Sequence, residues 1–356
     1  MKTEPGDRPT VHLAASGGGH LELLVFLEDV LRGYERVWVV SPGLQASRLS
    51  RSGASVHEIP NPGRSLSKVW SNLSATVAAL ARDRPRIVVT TGAGSVVPYV
   101  ALAWLIGARV VFIETTARIT NPSKSGRVLS RIASFVIVQW PEMQNVYPGS
   151  VVCRPMFWDR ARTSRVPGKG TFVAVGTHSD PFNRLLELVD DAVGEGLLPG
   201  PVVAQAGAST YRPRHYESSA WLSPEELQLA IHGARYVVCH AGSGIISLAL
   251  AAGRRPLVVP RRKQHGEHFD DHQSQLAERL DELGLVVRIE SALTAEHVHS
   301  SAGGFLVAGR ADLPSVMETL NAAVADVQKL VPRSHQQGHI ATRPAWLRYG
   351  GKKIGD

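Results

Sequence analysis

Cysteine is scarce: the 356 residues hold only Cys153 and Cys239, each following a Val-Val pair. With no CxxC there is neither a redox pair nor a zinc ribbon, and a reducing compartment is expected. Long apolar runs are missing too. The most apolar stretch, residues 96–113, is interrupted by Gly107 and Arg109 and reads as a buried helix followed by a buried strand rather than a membrane span. The first twenty residues lack the apolar segment of a signal peptide, so a cytoplasmic location is expected. GxGxxG is absent from the first strand–helix turn, as are an Asp-x-Asp for a metal-bound nucleotide and an HExxH metal motif. Arg and Lys are scattered, without a helix-turn-helix or RNA-binding signature, which argues against nucleic acid as a partner.

Lys and Arg outnumber Asp and Glu by 39 to 31, and the pI is about 9.7, so a polyanionic partner is expected. Hydrophobic residues at 44 % and charged residues at 20 % are those of a folded globular chain. The length suits two domains.

Strand-like runs alternate with helical patterns throughout, the signature of βαβ units and parallel sheets. Strands are predicted at Val11–Ala15, Val37–Ser41, Ile87–Thr90, Val110–Ile113 and Phe135–Val138, with helices at Leu21–Leu31, Leu66–Ala81, Val96–Ile106 and Ser123–Ile132. After a Pro/Gly/Arg-rich stretch, Arg160–Gly170, strands restart at Thr171–Val175, Val202–Gln205, Tyr236–Cys239, Pro256–Val259 and Val286–Ile289. Ser223-Pro224-Glu225-Glu226 predicts a helix start with a capping box. The expected division is 1–160 and 161–330, with 331–356 a basic tail.

The first strand runs through Ser16-Gly17-Gly18-Gly19-His20 into an apolar helix. Glycines there let a ligand approach the backbone, and the helix N-terminus favours an anion, although a tight turn needs no ligand. His20 is either a base, a phosphate ligand or a helix-terminal polar residue. His240-Ala241-Gly242-Ser243-Gly244 repeats the arrangement after a later strand and can hold a diphosphate. Two further turns, Gly92-Ala93-Gly94 and Gly176-Thr177, follow the same pattern. The segment His265 to Gln273 (HGEHFDDHQ) can hydrogen-bond sugar hydroxyls. Its rival reading is a metal site, since His268 and His272 are a helical turn apart with carboxylates between them; the sugar is favoured and no metal or other cofactor is expected. Glu114 ends an apolar strand near Arg118, where it is either a general base or half of a surface ion pair.

SGGGH, TTGAGSVVPY and IETTARITNPSKSGRVLSRIASFVIVQWPE resemble the acceptor-side subunit of the eukaryotic UDP-N-acetylglucosamine transferase that adds the second sugar to dolichyl diphosphate. FVAVGT, PFNRLLELVD, VVAQAGAS, VVCHAGSGIISLALAAGRRPLVVPR and GEHFDDHQSQLAERL resemble its donor-side subunit. Both are similar to paired bacterial capsule and exopolysaccharide glycosyltransferase subunits and to MurG, of the family 28-like glycosyltransferases. Here the pair is fused over roughly residues 10–290.

The resemblance implies a GT-B fold: an α/β protein with two Rossmann-like domains facing across a cleft. By position it implies a donor site of Gly176, Thr177, Gln205, His240, Gly242, Ser243, Gly244, His272 and Gln273. His20, Gly18, Gly19, Gly92, Gly94, Glu114 and Arg118 would face the acceptor, with Glu114 or His20 as the base. Two features depart from the family pattern: Leu248 occupies the position where MurG-like enzymes carry a ribose-binding acid, and no membrane anchor of the eukaryotic kind is expected.

The expected function is inverting, metal-independent transfer from a UDP-sugar to a polyprenyl-diphosphate-linked saccharide in capsule or exopolysaccharide assembly, at the inner face of the plasma membrane. A UDP-sugar epimerase and a non-catalytic basic membrane-surface protein are the alternatives. Binding to an anionic membrane surface is expected through Arg118, Lys124, Arg127 and Arg131, through Tyr99, Leu102, Trp104 and Leu105, and through Arg343, Trp346, Arg348, Lys352 and Lys353 of the tail.

Overall fold

The computed structural model describes residues 9–62, 65–162, 167–268, 270–304 and 312–330. The expected basic tail, with its arginines, lysines and Trp346, lies outside the described residues. The first sheet holds β1 (Thr10–Ala15), β2 (Glu35–Val40), β3 (Ser55–Glu58), β4 (Ile87–Gly92), β5 (Arg109–Ile113), β6 (Phe135–Val138) and β7 (Val151–Val152). Its helices are α1 (Gly19–Leu27), α2 (Leu44–Arg51), α3 (Leu66–Arg82), α4 (Val97–Leu105), α5 (Lys124–Leu129) and α6 (Met156–Arg160). Strand order is β3-β2-β1-β4-β5-β6-β7, with every pair parallel. Helices on both faces bury the sheet, so its central strands are continuous apolar runs rather than alternating ones.

The second sheet holds β8 (Thr171–Ala174), β9 (Val202–Gln205), β10 (Tyr236–His240), β11 (Leu257–Val259) and β12 (Val287–Arg288). It is parallel throughout, in the order β12-β11-β10-β8-β9. Its helices are α7 (Asn183–Gly194), α8 (Pro224–Gly233), α9 (Ser243–Ala251), α10 (His272–Glu282) and α11 (Ala295–Ala302). The capping box at α8 is formed: Ser223 Oγ accepts from the Glu226 N–H at 3.1 Å, and Glu226 Oε2 accepts from the Ser223 N–H at 2.7 Å. These are the two facing Rossmann-like domains of a GT-B fold.

The domain boundaries need one correction. A last helix, α12 (Val316–Lys329), returns to the first domain. Its stripe Val316, Leu320, Ala323, Val324 and Val327 is buried in one cluster with Val11, Leu13 and Leu24. An apolar stripe at helical spacing needs a cover, and the uncovered face of the first sheet supplies it. The Val316 N–H, donating to Asp159 at 3.3 Å, fixes the crossing.

In an open parallel sheet, ligands bind beyond the carboxyl ends of the strands where the strand order reverses. That point lies between β1 and β4 in the first sheet and between β8 and β10 in the second. The turns after these four strands are the four glycine turns noted in the sequence.

Candidate active-site cleft

Between the domains runs a cleft of about 1020 Å³, lined by Gly18, Gly19, His20 and Arg118 from one side and by Gly176, Thr177, Gln205, His240, Gly242, Ser243, Gly244, His272 and Gln273 from the other. Gly18, at φ 75°, turns the chain out of β1 and precedes α1 without a side-chain cap. Gly242 precedes α9, also without one. The two helix starts meet: a Cβ on Gly19 would lie 2.7 Å from Ser243 Oγ, and one on Gly244 would lie 3.4 Å from the Gly19 Cα. Two helix N-termini converging on one cleft place partial positive charge from both domains where an anion can sit.

His20 is held from two sides by the end of β4. Its Nδ1 is 2.8 Å from the Thr91 carbonyl, and Thr91 Oγ1 donates to the His20 carbonyl at 3.0 Å. A carbonyl can only accept, so Nδ1 carries the proton and Nε2 keeps its lone pair. Burial, with Arg118 and His272 nearby, pushes the imidazole pKa below its ordinary value. The ring is neutral at pH 7.

In the second domain the imidazole of His240 stands between two glycines. A Cβ on Gly176 would come within 2.6 Å of the ring, and one on Gly242 within 2.2 Å. Burial pulls the His240 pKa down to about 3. Gln205 Oε1 accepts from the Leu222 N–H at 3.2 Å, and Gln273 Oε1 accepts from the Arg261 N–H at 3.1 Å. Gln205 thereby fixes the Leu222 stretch of the cleft wall, and Gln273 fixes the chain just after β11. Leu248 lines the cleft as well.

Three acceptor-side expectations change. Glu114 is 1 % exposed and does not line the cleft. Its carboxylate accepts from the Thr115 N–H at 3.0 Å, the Ser123 N–H at 3.1 Å, Ser123 Oγ at 3.2 Å and Tyr147 Oη at 2.6 Å. A group so enclosed cannot reach a substrate hydroxyl. Arg118 pairs not with Glu114 but with Asp270 of the second domain, at 3.0 Å. Gly92 and Gly94 do not line the cleft either. Gly92, at φ 84°, gives close packing, since a Cβ there would meet Ser125 Oγ at 2.9 Å.

Sequence reasoning missed Trp221, Leu222, Gln228 and His178, which line the donor-side wall. Trp221 is 50 % exposed, immediately before the capped start of α8. An aromatic next to a capping box is the signal that was available.

Residues 12–154 match the family described as oligosaccharide biosynthesis protein Alg14 like, and residues 171–299 match the glycosyltransferase family 28 C-terminal domain. The chain is 25 % identical over 183 residues to the human UDP-N-acetylglucosamine transferase subunit ALG14, covering 42 % of this chain and 84 % of that one. It is 27 % identical over 330 residues to the UDP-N-acetylglucosamine–N-acetylmuramyl-(pentapeptide) pyrophosphoryl-undecaprenol N-acetylglucosamine transferase of Cupriavidus necator, covering 82 % and 87 %. The crystal structure of Acinetobacter baumannii MurG superposes with a TM-score of 0.55 at 18 % identity, covering 91 % of this chain and 99 % of that one. The two matched segments coincide with the two sheets, so the chain is a glycosyltransferase that joins an Alg14-like domain to a family 28 C-terminal domain in one polypeptide.

Proposed function

We propose that this enzyme transfers a sugar, with inversion, from a UDP-sugar to a polyprenyl-diphosphate-linked saccharide, in capsule or exopolysaccharide assembly. The observation that carries the reading is the meeting of the glycine turns before α1 and α9, with His20 beside them in one cleft. The acceptor hydroxyl attacks the anomeric carbon as the bond to the diphosphate breaks, through an oxocarbenium-like state. His20 Nε2 takes the hydroxyl proton, and the α9 amides stabilise the negative charge growing on UDP. Trp221 and Leu222 offer an apolar wall for the base.

UDP-N-acetylglucosamine is named in both relatives, so it is the first donor to test against synthetic polyprenyl-diphosphate sugars, with a panel of other UDP-sugars beside it. A product heavier by one sugar, with UDP released only when the lipid is present, is expected. Turnover of the UDP-sugar alone would replace this reading with an epimerase.

Among the described residues no helix is long and apolar enough to cross a membrane, yet a polyprenyl acceptor keeps its tail in the bilayer. Leu66 and Trp70 on α3 are 82 % and 70 % exposed, and Leu105 on the adjoining α4 is 67 % exposed. Lys124, Arg127 and Arg131 are exposed in and just after α5, which packs against α4. Tyr99 is not part of this face: it is buried, within 2.6 Å of His12 Nδ1. Arg118 is likewise engaged in the cleft. At about 1 kcal/mol per basic residue near an anionic surface, neutralising Lys124, Arg127 and Arg131 together is expected to weaken sedimentation with anionic vesicles by about a hundredfold. Added salt weakens it too. Equal sedimentation with neutral and anionic vesicles would transfer membrane recruitment to a separate partner.

A further inference from the structure

The proposed transfer uses neither His268 nor Asp270 of the histidine-rich segment that leads into α10. His268 Nδ1 lies 3.1 Å from Asp270 Oδ1, and His272 Nδ1 contacts the same oxygen. One ligand atom from each of the three lies within 4.8 Å of the others. The two imidazoles approach at 76°, with ring centroids 4.7 Å apart, and His178 adds a third ring 4.8 Å from His268. Arg118 takes the other carboxylate oxygen, Oδ2, at 3.0 Å. Oδ1 is thus the oxygen turned toward the imidazoles. A neutral imidazole offers one ring-nitrogen lone pair to a metal.

Two imidazole nitrogens and one carboxylate oxygen form a ligand set for zinc-type ions, not for magnesium or calcium, which prefer all-oxygen sites. We propose that His268, Asp270 and His272 bind a borderline divalent transition metal, with Arg118 as the outer partner of the carboxylate, and that the bound metal inhibits transfer. Inhibition follows because the ion withdraws His272 from the cleft wall; this part rests on the proposed donor site. Three protein ligands leave a fourth position for water. The metal is an inhibitor and not a participant, so EDTA leaves transfer intact.

The test is titration of the chelator-treated full chain with ZnCl2 by calorimetry and with CoCl2 by visible absorption. One equivalent is expected to bind, with MgCl2 giving no heat, and affinity is expected to fall at least about tenfold in His268→Asn and in Asp270→Asn. Circular dichroism shows which variants fold, with His272→Gln as the third choice. Unchanged affinity in the folded variants would overturn the site. In the parent, zinc is expected to raise the donor KM, and this sensitivity is lost in His268→Asn. Binding that depends on these residues but leaves the KM unmoved would overturn the inhibitory role and the placement of His272 in the donor site, with the metal site retained. EDTA-abolished transfer restored by zinc would make the ion a participant and overturn the inhibition.

Discussion

Replacing His20 by Asn is expected to lower kcat by about a hundredfold or more, the usual cost of losing a general base, while leaving UDP affinity nearly unchanged. Asn can still donate to the Thr91 carbonyl that holds the ring at 2.8 Å, so the turn before α1 keeps its shape. What disappears is the lone pair at Nε2. The pH dependence has a definite sign. Neutral imidazole is the active form and its pKa is depressed by burial, so activity falls only as pH drops through a value below that of an ordinary histidine. Measuring UDP release across pH, with UDP binding by calorimetry as the control, checks both points. Near-normal turnover in the variant would pass the proton to another cleft group, His272 first.

Much of this arrangement was legible because parallel strands leave a strong imprint. Phe135–Val138 and Val202–Gln205 are strands with the predicted limits, and β8 and β10 differ by a residue. β8 and β10 are buried almost throughout and β6 and β9 in their second halves, and in all four the apolar run stands out against flanking turn residues. The elements that were not foreseen lack that contrast. β3 is the four-residue SVHE at the edge of its sheet, with only His57 buried, and α2 is the largely polar LQASRLSR, with only Ala46 buried. Neither carries an apolar run that marks it. The return of α12 to the first domain was equally hidden, because an apolar stripe shows that a helix must be covered without saying by what.

The cleft was legible to the same degree and for the same reason. Glycines at strand–helix turns mark backbone that must approach something closely, and Gly19 against Ser243, or Gly176 against the His240 ring, are such approaches. Long-range pairing leaves no such mark. Arg118 and Glu114 are four residues apart, which suggests an ion pair, yet Arg118 reaches across to Asp270. Side-chain partners drawn from the other domain are set by how the two sheets face, and no local pattern encodes that.

Glu114 is where the two kinds of reading separate most sharply, and a single pair of variants decides between them. As the base, Glu114→Gln would abolish most turnover and leave the fold intact. As a buried acceptor it should do the reverse. Four donors converge on the carboxylate, and Gly126 is small because a Cβ there would come within 2.3 Å of Tyr147 Oη and 2.5 Å of Glu114 Oε2. The cluster ties the end of β5 to the start of α5 and to Tyr147, beside the loop that carries Arg118. Replacing the acid by Leu leaves those donors buried without an acceptor, and each buried donor left unsatisfied costs about 1–3 kcal/mol. Glu114→Gln keeps one acceptor oxygen but turns an amide N–H2 toward donors, so it should lie between Leu and the parent. The expected result is a lowered urea midpoint for both, larger for Leu, with kcat per folded molecule of the Gln variant close to that of the parent. A Gln variant with parental stability and about a hundredfold lower kcat would return the base to Glu114 and require the cleft to open around it.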